Sequence, residues 1–185
     1  PHAIVAFADL AAPDIEATLR AHCEHPNVRG IRQILNWHDD PTLRFAARAD
    51  LMSDPQWRRG FSLLAPLGLS FDLQIYWPQM AAACRLARDF PGTLILLNHF
   101  GMPIDRSGQA IADWSKALVQ LAQAPNVMIK LSGAGLGNPS WTSADTVPLL
   151  QRSIDIFGVN RVMFGTNLPV ERLFSNAAAI LDTYL

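Results

Sequence analysis

The chain has 185 residues, of which 50% are hydrophobic and 17% are charged, and its formal net charge is −1. This length and composition fit one globular domain with a sizeable core and exclude an intrinsically disordered chain. The balanced charge gives no electrostatic reason to expect a nucleic acid or an anionic membrane as a partner. No uncharged apolar run reaches the roughly 18 residues that a membrane span requires.

Six short apolar runs predict the strands of the domain, and several are apolar at consecutive positions instead of alternating ones. That pattern is typical of strands buried on both faces, as in a parallel sheet covered by helices. In chain order, the predicted strands are residues 2–8, 28–35, 69–75, 93–98, 127–131 and 161–165.

A helical segment follows each predicted strand. Asp54-Pro55 predicts an N-cap followed by proline at the first helical position, and this helix is expected to run to about residue 66. Six strand-then-helix units predict a parallel sheet with right-handed crossovers. The helices are expected to begin near Pro13, Pro55, Pro78, Ile111, Thr146 and Ser175.

The two cysteines, Cys23 and Cys84, lie 61 positions apart and form no Cys-x-x-Cys motif. This spacing favours two buried thiols in a reducing compartment over a disulfide framework. The first apolar stretch follows no basic region, so it does not look like a secretory signal. Together these features predict a cytoplasmic protein.

Polar residues recur where the predicted strands end. Sites in parallel α/β proteins gather at the carboxyl ends of the strands, so a ring of polar side chains on otherwise apolar strands predicts a pocket. The ring consists of Asp9, Arg32, Gln33, Asp72, Gln74, Asn98, His99, Lys130, Ser132, Thr166 and Asn167, with His38 just beyond the second strand.

His99 is the strongest single candidate in this ring. Its imidazole can bind a divalent metal, transfer a proton, or donate a hydrogen bond to a carbonyl group. The alternative is a core histidine bonded to the backbone. Gln74 needs a hydrogen-bond partner if it is buried, and it could donate to a substrate.

The two cations of the ring have two interpretations each. Lys130 lies inside a strand, where a buried ammonium needs either a polar pocket or a partner such as Asp72. Arg32 could bind a substrate carboxylate through two parallel hydrogen bonds, or could pair with Asp9 or Asp39.

Five stretches resemble the amidohydrolase-related family, the branch of metal-dependent TIM-barrel hydrolases that holds 2-pyrone-4,6-dicarboxylate lactonase and sugar-acid lactonases. The similarity runs in order over nearly the whole chain. The stretches are GIRQILNWH (30–38), FDLQIYWPQM (71–80), LNHFGMP (97–103), NVMIKLSGAG (126–135) and NRVMFGTNLPVERL (160–173).

The resemblance implies a (β/α)8 barrel that is incomplete over residues 1–185, a partial TIM-barrel hydrolase domain. The six strands match the third to eighth strands of the family. The first two strands, the His-x-His pair of the first strand, and the end of the last helix have no counterpart here. His99 matches the histidine at the end of the family's sixth strand. Asn167 stands where the family has an aspartate, and an amide cannot take up a proton as a carboxylate does.

The resemblance further implies a hydrolase of a lactone or similar cyclic ester of a small carboxylic or sugar acid, with decarboxylase-type chemistry as a variant. A divalent metal, zinc or manganese, serves some members, and here His99 would be its ligand. Asn167 would orient water or substrate. Arg32, Gln74, Lys130 and His38 would bind the substrate.

The resemblance leaves other expectations open. The partner would be a small molecule, a homo-oligomer is compatible with the low charge, and the 185 residues alone would be inactive. Two alternatives remain, namely an open α/β module that binds a small molecule and a catalytically inactive barrel relative. Asn167 is the residue that suggests the second alternative.

Overall fold

A parallel sheet forms the centre of the molecule, which a computed structural model describes over residues 2–136 and 138–184. The six strands pair in chain order, and every neighbouring pair is parallel, which confirms the predicted strand-then-helix units. The strands are β1 (Ile4–Phe7), β2 (Val28–Ile34), β3 (Ser70–Gln74), β4 (Ile95–Leu97), β5 (Val127–Leu131) and β6 (Val162–Phe164).

A helix follows each strand. Asp54 caps α2 as predicted, because its side chain accepts a hydrogen bond from the Trp57 backbone N–H at 2.8 Å. This helix ends at Ser62 and not near residue 66, because turns occupy the segment up to Gly68, which has a φ of 69°. The helices are α1 (Ile15–Cys23), α2 (Pro55–Ser62), α3 (Met80–Asp89), α4 (Gly108–Leu121), α5 (Ser143–Phe157) and α6 (Ala177–Tyr184).

The two faces of the sheet differ in chemistry, because successive side chains of a strand point to opposite faces. One face packs against the helices and is buried and almost wholly apolar. Its buried residues are Ile31, Phe71, Leu73, Ile95, Leu97, Val127, Ile129 and Leu131. The opposite face, here called the inner face, carries the charged residues of β2, β3 and β5 near their carboxyl ends.

Two remaining expectations concern the cysteines and the membrane. Both cysteines are free, but Cys23 is exposed and Cys84 half-buried, so the prediction of two buried thiols is wrong. Cys23 is the last residue of α1, and a turn follows it. Among the described helices, none combines the length and apolar character that crossing a bilayer would need.

Candidate active site

Four side chains converge on the inner face because of the register between strands. Arg32 lies beside Asp72, and Gln74 and Lys130 come one step nearer the carboxyl edge. Lys130 donates to Asp72, with 2.6 Å between Nζ and Oδ2. Arg32 donates through Nη2 to the side-chain oxygen of Gln74. Two cation–acceptor pairs, Arg32 with Gln74 and Lys130 with Asp72, thus join β2 and β5 to β3.

These contacts decide between interpretations that the sequence left open. Lys130 forms an ion pair with Asp72, one of the two interpretations that its position in a strand allows. Arg32 pairs with neither Asp9 nor Asp39, so that alternative is wrong. Asp9 is instead contacted by the amide of Gln33, at 3.0 Å.

The four side chains of Arg32, Asp72, Gln74 and Lys130, here called the inner-face cluster, carry an excess of positive charge. This cluster contains two cations against one carboxylate, and Asp72 is 2% exposed. Among the described residues, Arg32 Nε and Asp72 Oδ1 are buried without a hydrogen-bond partner. Burial lowers the pKa of Arg32, and the charge of Asp72 acts in the opposite direction. A bound anion would therefore relieve both the unpaired donor and the charge imbalance.

His99 follows β4 on a turn of unusual backbone geometry. His99, Phe100, Gly101 and Met102 have φ values of 54°, 40°, 76° and 47°, in the left-handed region that residues with a side chain rarely adopt. The turn is held by a hydrogen bond from Met102 N to His99 O at 2.8 Å, and by Trp114 Nε1, which donates to Phe100 O at 2.8 Å. Such strain persists only where surrounding contacts enforce it, and it is concentrated at functional sites.

The imidazole of His99 is buried, with 4% of the residue exposed. Its Nδ1 lies 2.9 Å from Ser132 Oγ. Burial lowers the pKa of His99 to about 3, and the positive charges of Arg32 and Lys130 act in the same direction. His99 is therefore neutral near pH 7, and whether its Nε2 donates or accepts depends on the tautomer.

Asn167 follows β6 and contacts an acidic residue that the sequence-based prediction missed. Its Nδ2 donates to Glu171 Oε2 at 3.1 Å, and Glu171 is 1% exposed. The other carboxylate oxygen accepts from Gly135 N at 2.5 Å. The only sequence signal for this contact was the four-residue spacing from Asn167, which in a turn-rich stretch predicts nothing by itself.

Two further polar residues follow the carboxyl ends of strands. Asn98, next to His99, is buried, and neither of its side-chain amide atoms has a partner within the described part of the chain. His38 is half-buried on the loop after β2 and accepts from the Asp40 backbone N–H at 3.0 Å. Its ring lies edge-on to that of Tyr76, so these contacts do not join it to the inner-face cluster.

The donor set does not by itself fit a metal ion. Within residues 2–136 and 138–184, no group of three or more histidine, cysteine, aspartate or glutamate side chains could hold one. His99 offers a single imidazole, and Asn167 offers an amide, which is a poor substitute for a carboxylate ligand. Each of these residues could supply at most one ligand, and together they do not form a complete site.

Comparison with known sequences adds a family match. A family model described as an amidohydrolase matches residues 1–185. The uncharacterised protein y4mH of Sinorhizobium fredii is 45% identical over 184 residues, which cover 100% of this chain and 62% of that protein. An L-fucono-1,5-lactonase of Burkholderia ambifaria is 33% identical over 184 residues, which cover 92% of this chain and 56% of the lactonase.

Comparison with solved structures gives the same result. An amidohydrolase from Burkholderia multivorans with bound HEPES superimposes with a TM-score of 0.85 at 25% identity, over 99% of this chain and 64% of that chain. A second crystal form of that protein, with bound zinc, gives a TM-score of 0.84. The chain spans less than two thirds of the length of these relatives. Together with the family match, the likeness confirms the predicted fold class, an incomplete (β/α)8 barrel.

Proposed function

The chain belongs to the amidohydrolase family, and from that premise we propose that residues 1–185 form part of a hydrolase domain acting on a lactone or similar cyclic ester. The substrate would be derived from a small carboxylic or sugar acid. One observation carries the proposal, which is the buried, neutral His99 beside the cationic inner-face cluster of Arg32 and Lys130. The lactonase named among the relatives supports the choice of ester.

Arg32 and Lys130 would hold the polar groups of the substrate. Arg32 offers a planar set of donors that suits a carboxylate or a pair of hydroxyl groups, and its buried Nε has no partner among the described residues. Lys130 is fixed by Asp72 at the carboxyl edge of β5. Gln74 accepts a hydrogen bond from the guanidinium of Arg32 and would hold it in place to bind the substrate.

His99 would act on the carbonyl group as a neutral donor. If Ser132 Oγ–H donates to Nδ1, the proton of the imidazole resides on Nε2 and can donate to the lactone oxygen. Negative charge develops on that oxygen when water attacks, and the nearby charges of Arg32 and Lys130 favour it. Asn167 would accept a hydrogen bond from the attacking water or from a substrate hydroxyl and so orient it.

No step of this proposed reaction runs through a metal ion, because the described residues do not complete a metal site. Zinc or manganese dependence, which the resemblance implied, is a separate question with its own measurement. We expect metal analysis of the protein expressed from its complete reading frame to decide it. Less than about 0.1 equivalents of zinc or manganese after supplemented expression would argue for metal-free chemistry. If that reading frame extends upstream of Pro1, a His-x-His pair within roughly 80 residues would argue for a metal.

Hydrolysis of lactones tests the proposal directly. The protein from its complete reading frame is assayed by acid release against five- and six-membered sugar-acid lactones and a lactone that carries a free carboxylate. His99→Ala is expected to lower kcat/KM by about 100-fold, as loss of a donor to a developing oxyanion does. Arg32→Lys is expected mainly to raise KM, because lysine cannot form two parallel hydrogen bonds.

The matched control is His25→Ala, which removes an exposed histidine and should leave both constants unchanged. Binding of lactones without turnover by the wild-type protein would overturn the proposal in favour of a small-molecule binding module. Absence of both binding and turnover would favour an inactive barrel relative.

A further inference from the structure

Glu171 joins two loops at the carboxyl edge of the sheet. It is 1% exposed, and each of its carboxylate oxygens accepts one hydrogen bond from an N–H group. Gly135 N, in the loop after β5, donates to Oε1 at 2.5 Å. Asn167 Nδ2, in the loop after β6, donates to Oε2 at 3.1 Å. The buried carboxylate therefore ties the loop that follows Ser132 to the loop that carries Asn167.

A carboxylate accepts hydrogen bonds and cannot donate them, so it fixes which end of a neighbouring amide faces it. The nitrogen of the Asn167 side chain must point to Glu171, and the oxygen Oδ1 is left to accept from another group. We infer that Glu171 is a positioning residue that holds the Asn167 amide with its oxygen available to the bound substrate or the attacking water. The availability of Oδ1 follows from the geometry, whereas its use in hydrolysis rests on the proposed function.

The loop that carries Gly135, one of the two partners of Glu171, is closely packed. Phe174 packs so closely against Gly135 that an added Cβ there would lie 2.5 Å from Phe174 Cδ2. Arg106 donates to Ala134 O at 2.8 Å, in the same loop as Gly135. The pKa of Arg106 is lowered by burial, while the charges of Asp145 and Glu171, and the phenol of Tyr184 when ionised, oppose that shift.

The titratable groups around Glu171 come from several elements. Arg106 and Tyr184 interact with its charge from the loop before α4 and from α6, and Asp145 of α5 interacts with Arg106. Arg172, the next residue on the same turn, is exposed to solvent. Arg106 is therefore the one half-buried cation among these groups, and it does not contact Glu171 through a hydrogen bond among the described residues.

The hydrogen-bond pattern predicts different outcomes for three variants. In Glu171→Gln, the new amide donates to Asn167 Oδ1, which reverses the Asn167 amide and turns its NH2 group to the substrate. In Asn167→Asp, two carboxyl groups about 3 Å apart must share one proton. In the double variant, the amide introduced at position 171 donates to one oxygen of the carboxylate introduced at position 167. The second oxygen of that carboxylate then accepts at the site again.

The experiment measures kcat/KM for lactone hydrolysis in the protein expressed from its complete reading frame. Each single variant is expected to lose about tenfold or more, the effect of one misplaced hydrogen bond. The double variant Asn167→Asp/Glu171→Gln is expected to recover to within about threefold of wild type, because neighbouring residues are energetically coupled. Glu24→Gln, which removes an exposed carboxylate on the C-terminal side of α1, is the matched control and should have no effect.

A second measurement does not depend on turnover. A proton shared in Asn167→Asp means that one carboxyl has a raised pKa in the folded state. Stability relative to wild type should then be greatest at acid pH and fall as pH rises from about 5 to about 8. The double variant should not show this trend. Thermal unfolding midpoints across that pH range measure it.

The two measurements separate two ways of failing. If wild type hydrolyses no lactone but the stability pattern appears, the orientation of Asn167 stands and the proposed function falls. If Glu171→Gln and the double variant lose activity and stability equally, with no recovery, Glu171 only holds the loops together and the inference is overturned. A pH-independent midpoint difference for Asn167→Asp would also overturn it.

Discussion

At the scale of single residues, the protonation state of His99 decides what the site can do. The imidazole is enclosed by Ser132 and by the left-handed turn, and burial is the largest cause of its lowered pKa, followed by Arg32 and Lys130. A group with a pKa of about 3 does not supply a proton at neutral pH and is a weak base. A neutral donor or a ligand is the role that such an imidazole can fill.

The same shift makes stability depend on pH. In the unfolded chain His99 takes up a proton below about pH 6.5, whereas the folded protein admits it only near pH 3. The unfolded state therefore binds more protons between those values, and stability falls as pH falls through that window. Between about pH 7 and about pH 5 the loss should reach about 2 kcal/mol.

Urea unfolding in EDTA-containing buffer at the two pH values measures this loss. His99→Gln should remove most of the difference, while His25→Gln, which changes an exposed histidine, should retain it. An identical pH dependence in wild type and His99→Gln would contradict the buried, neutral state of His99.

The residue-scale contacts also show how far sequence reasoning reaches. Lys130 and Asp72 could be matched because a cation inside a buried strand requires a partner, and the neighbouring strands offer few. The partner of Arg32 could not be deduced, because the choice depends on strand register and not on composition. Glu171 was missed because its second contact, with Gly135, joins residues 36 positions apart.

At the scale of elements, the loop after β5 packs against the imidazole of His99. Gly133 has a φ of 71°, and an added Cβ would lie 2.7 Å from His99 Nδ1. Gly68 has nearly the same backbone angle, 69°, but an added Cβ there would meet nothing within 4 Å. The two glycines therefore separate the effect of backbone strain from the effect of displacing the imidazole.

The two glycines should respond differently to alanine. Gly68→Ala should cost about 1 kcal/mol of stability, because alanine disfavours a positive φ, and Gly133→Ala should cost at least as much because its Cβ also meets His99 and Leu136. Only Gly133→Ala should also displace His99 and lower kcat, by about tenfold or more, as small misplacements of a reacting group do. Thermal unfolding and steady-state kinetics of the two variants check this. Equal kcat values in Gly133→Ala and Gly68→Ala would mean that the contact with Gly133 does not position His99.

The elements themselves were predicted well where burial dictates pattern. The strands were found because β3, β4 and β5 are apolar on the helix-covered face and short enough to be recognised as strands. The left-handed turn from His99 to Met102 was not predicted, because phenylalanine and methionine rarely adopt positive φ. Tertiary contacts such as Trp114 Nε1 to Phe100 O enforce it.

At the scale of the whole molecule, the sheet has two open edges within the described residues. β1 pairs only with β2, and β6 pairs only with β5. Large apolar side chains lie on these end strands, with Phe7 69% exposed and Phe164 53% exposed. Unpaired backbone groups beside exposed apolar side chains form a template for pairing with another chain.

Residues 1–185 produced alone should self-associate at concentrations of roughly tens of micromolar or unfold with low cooperativity, because exposed strand edges recruit further strands. Phe7→Lys combined with Phe164→Lys should reduce the association, since charge at an edge strand opposes pairing. Val119→Lys changes an exposed apolar residue on α4, away from both edges, and should leave association unchanged. Sedimentation velocity and thermal unfolding measure the outcome. A monomer with a sharp two-state transition would mean that the open edges do not drive association and that the open sheet is a stable unit.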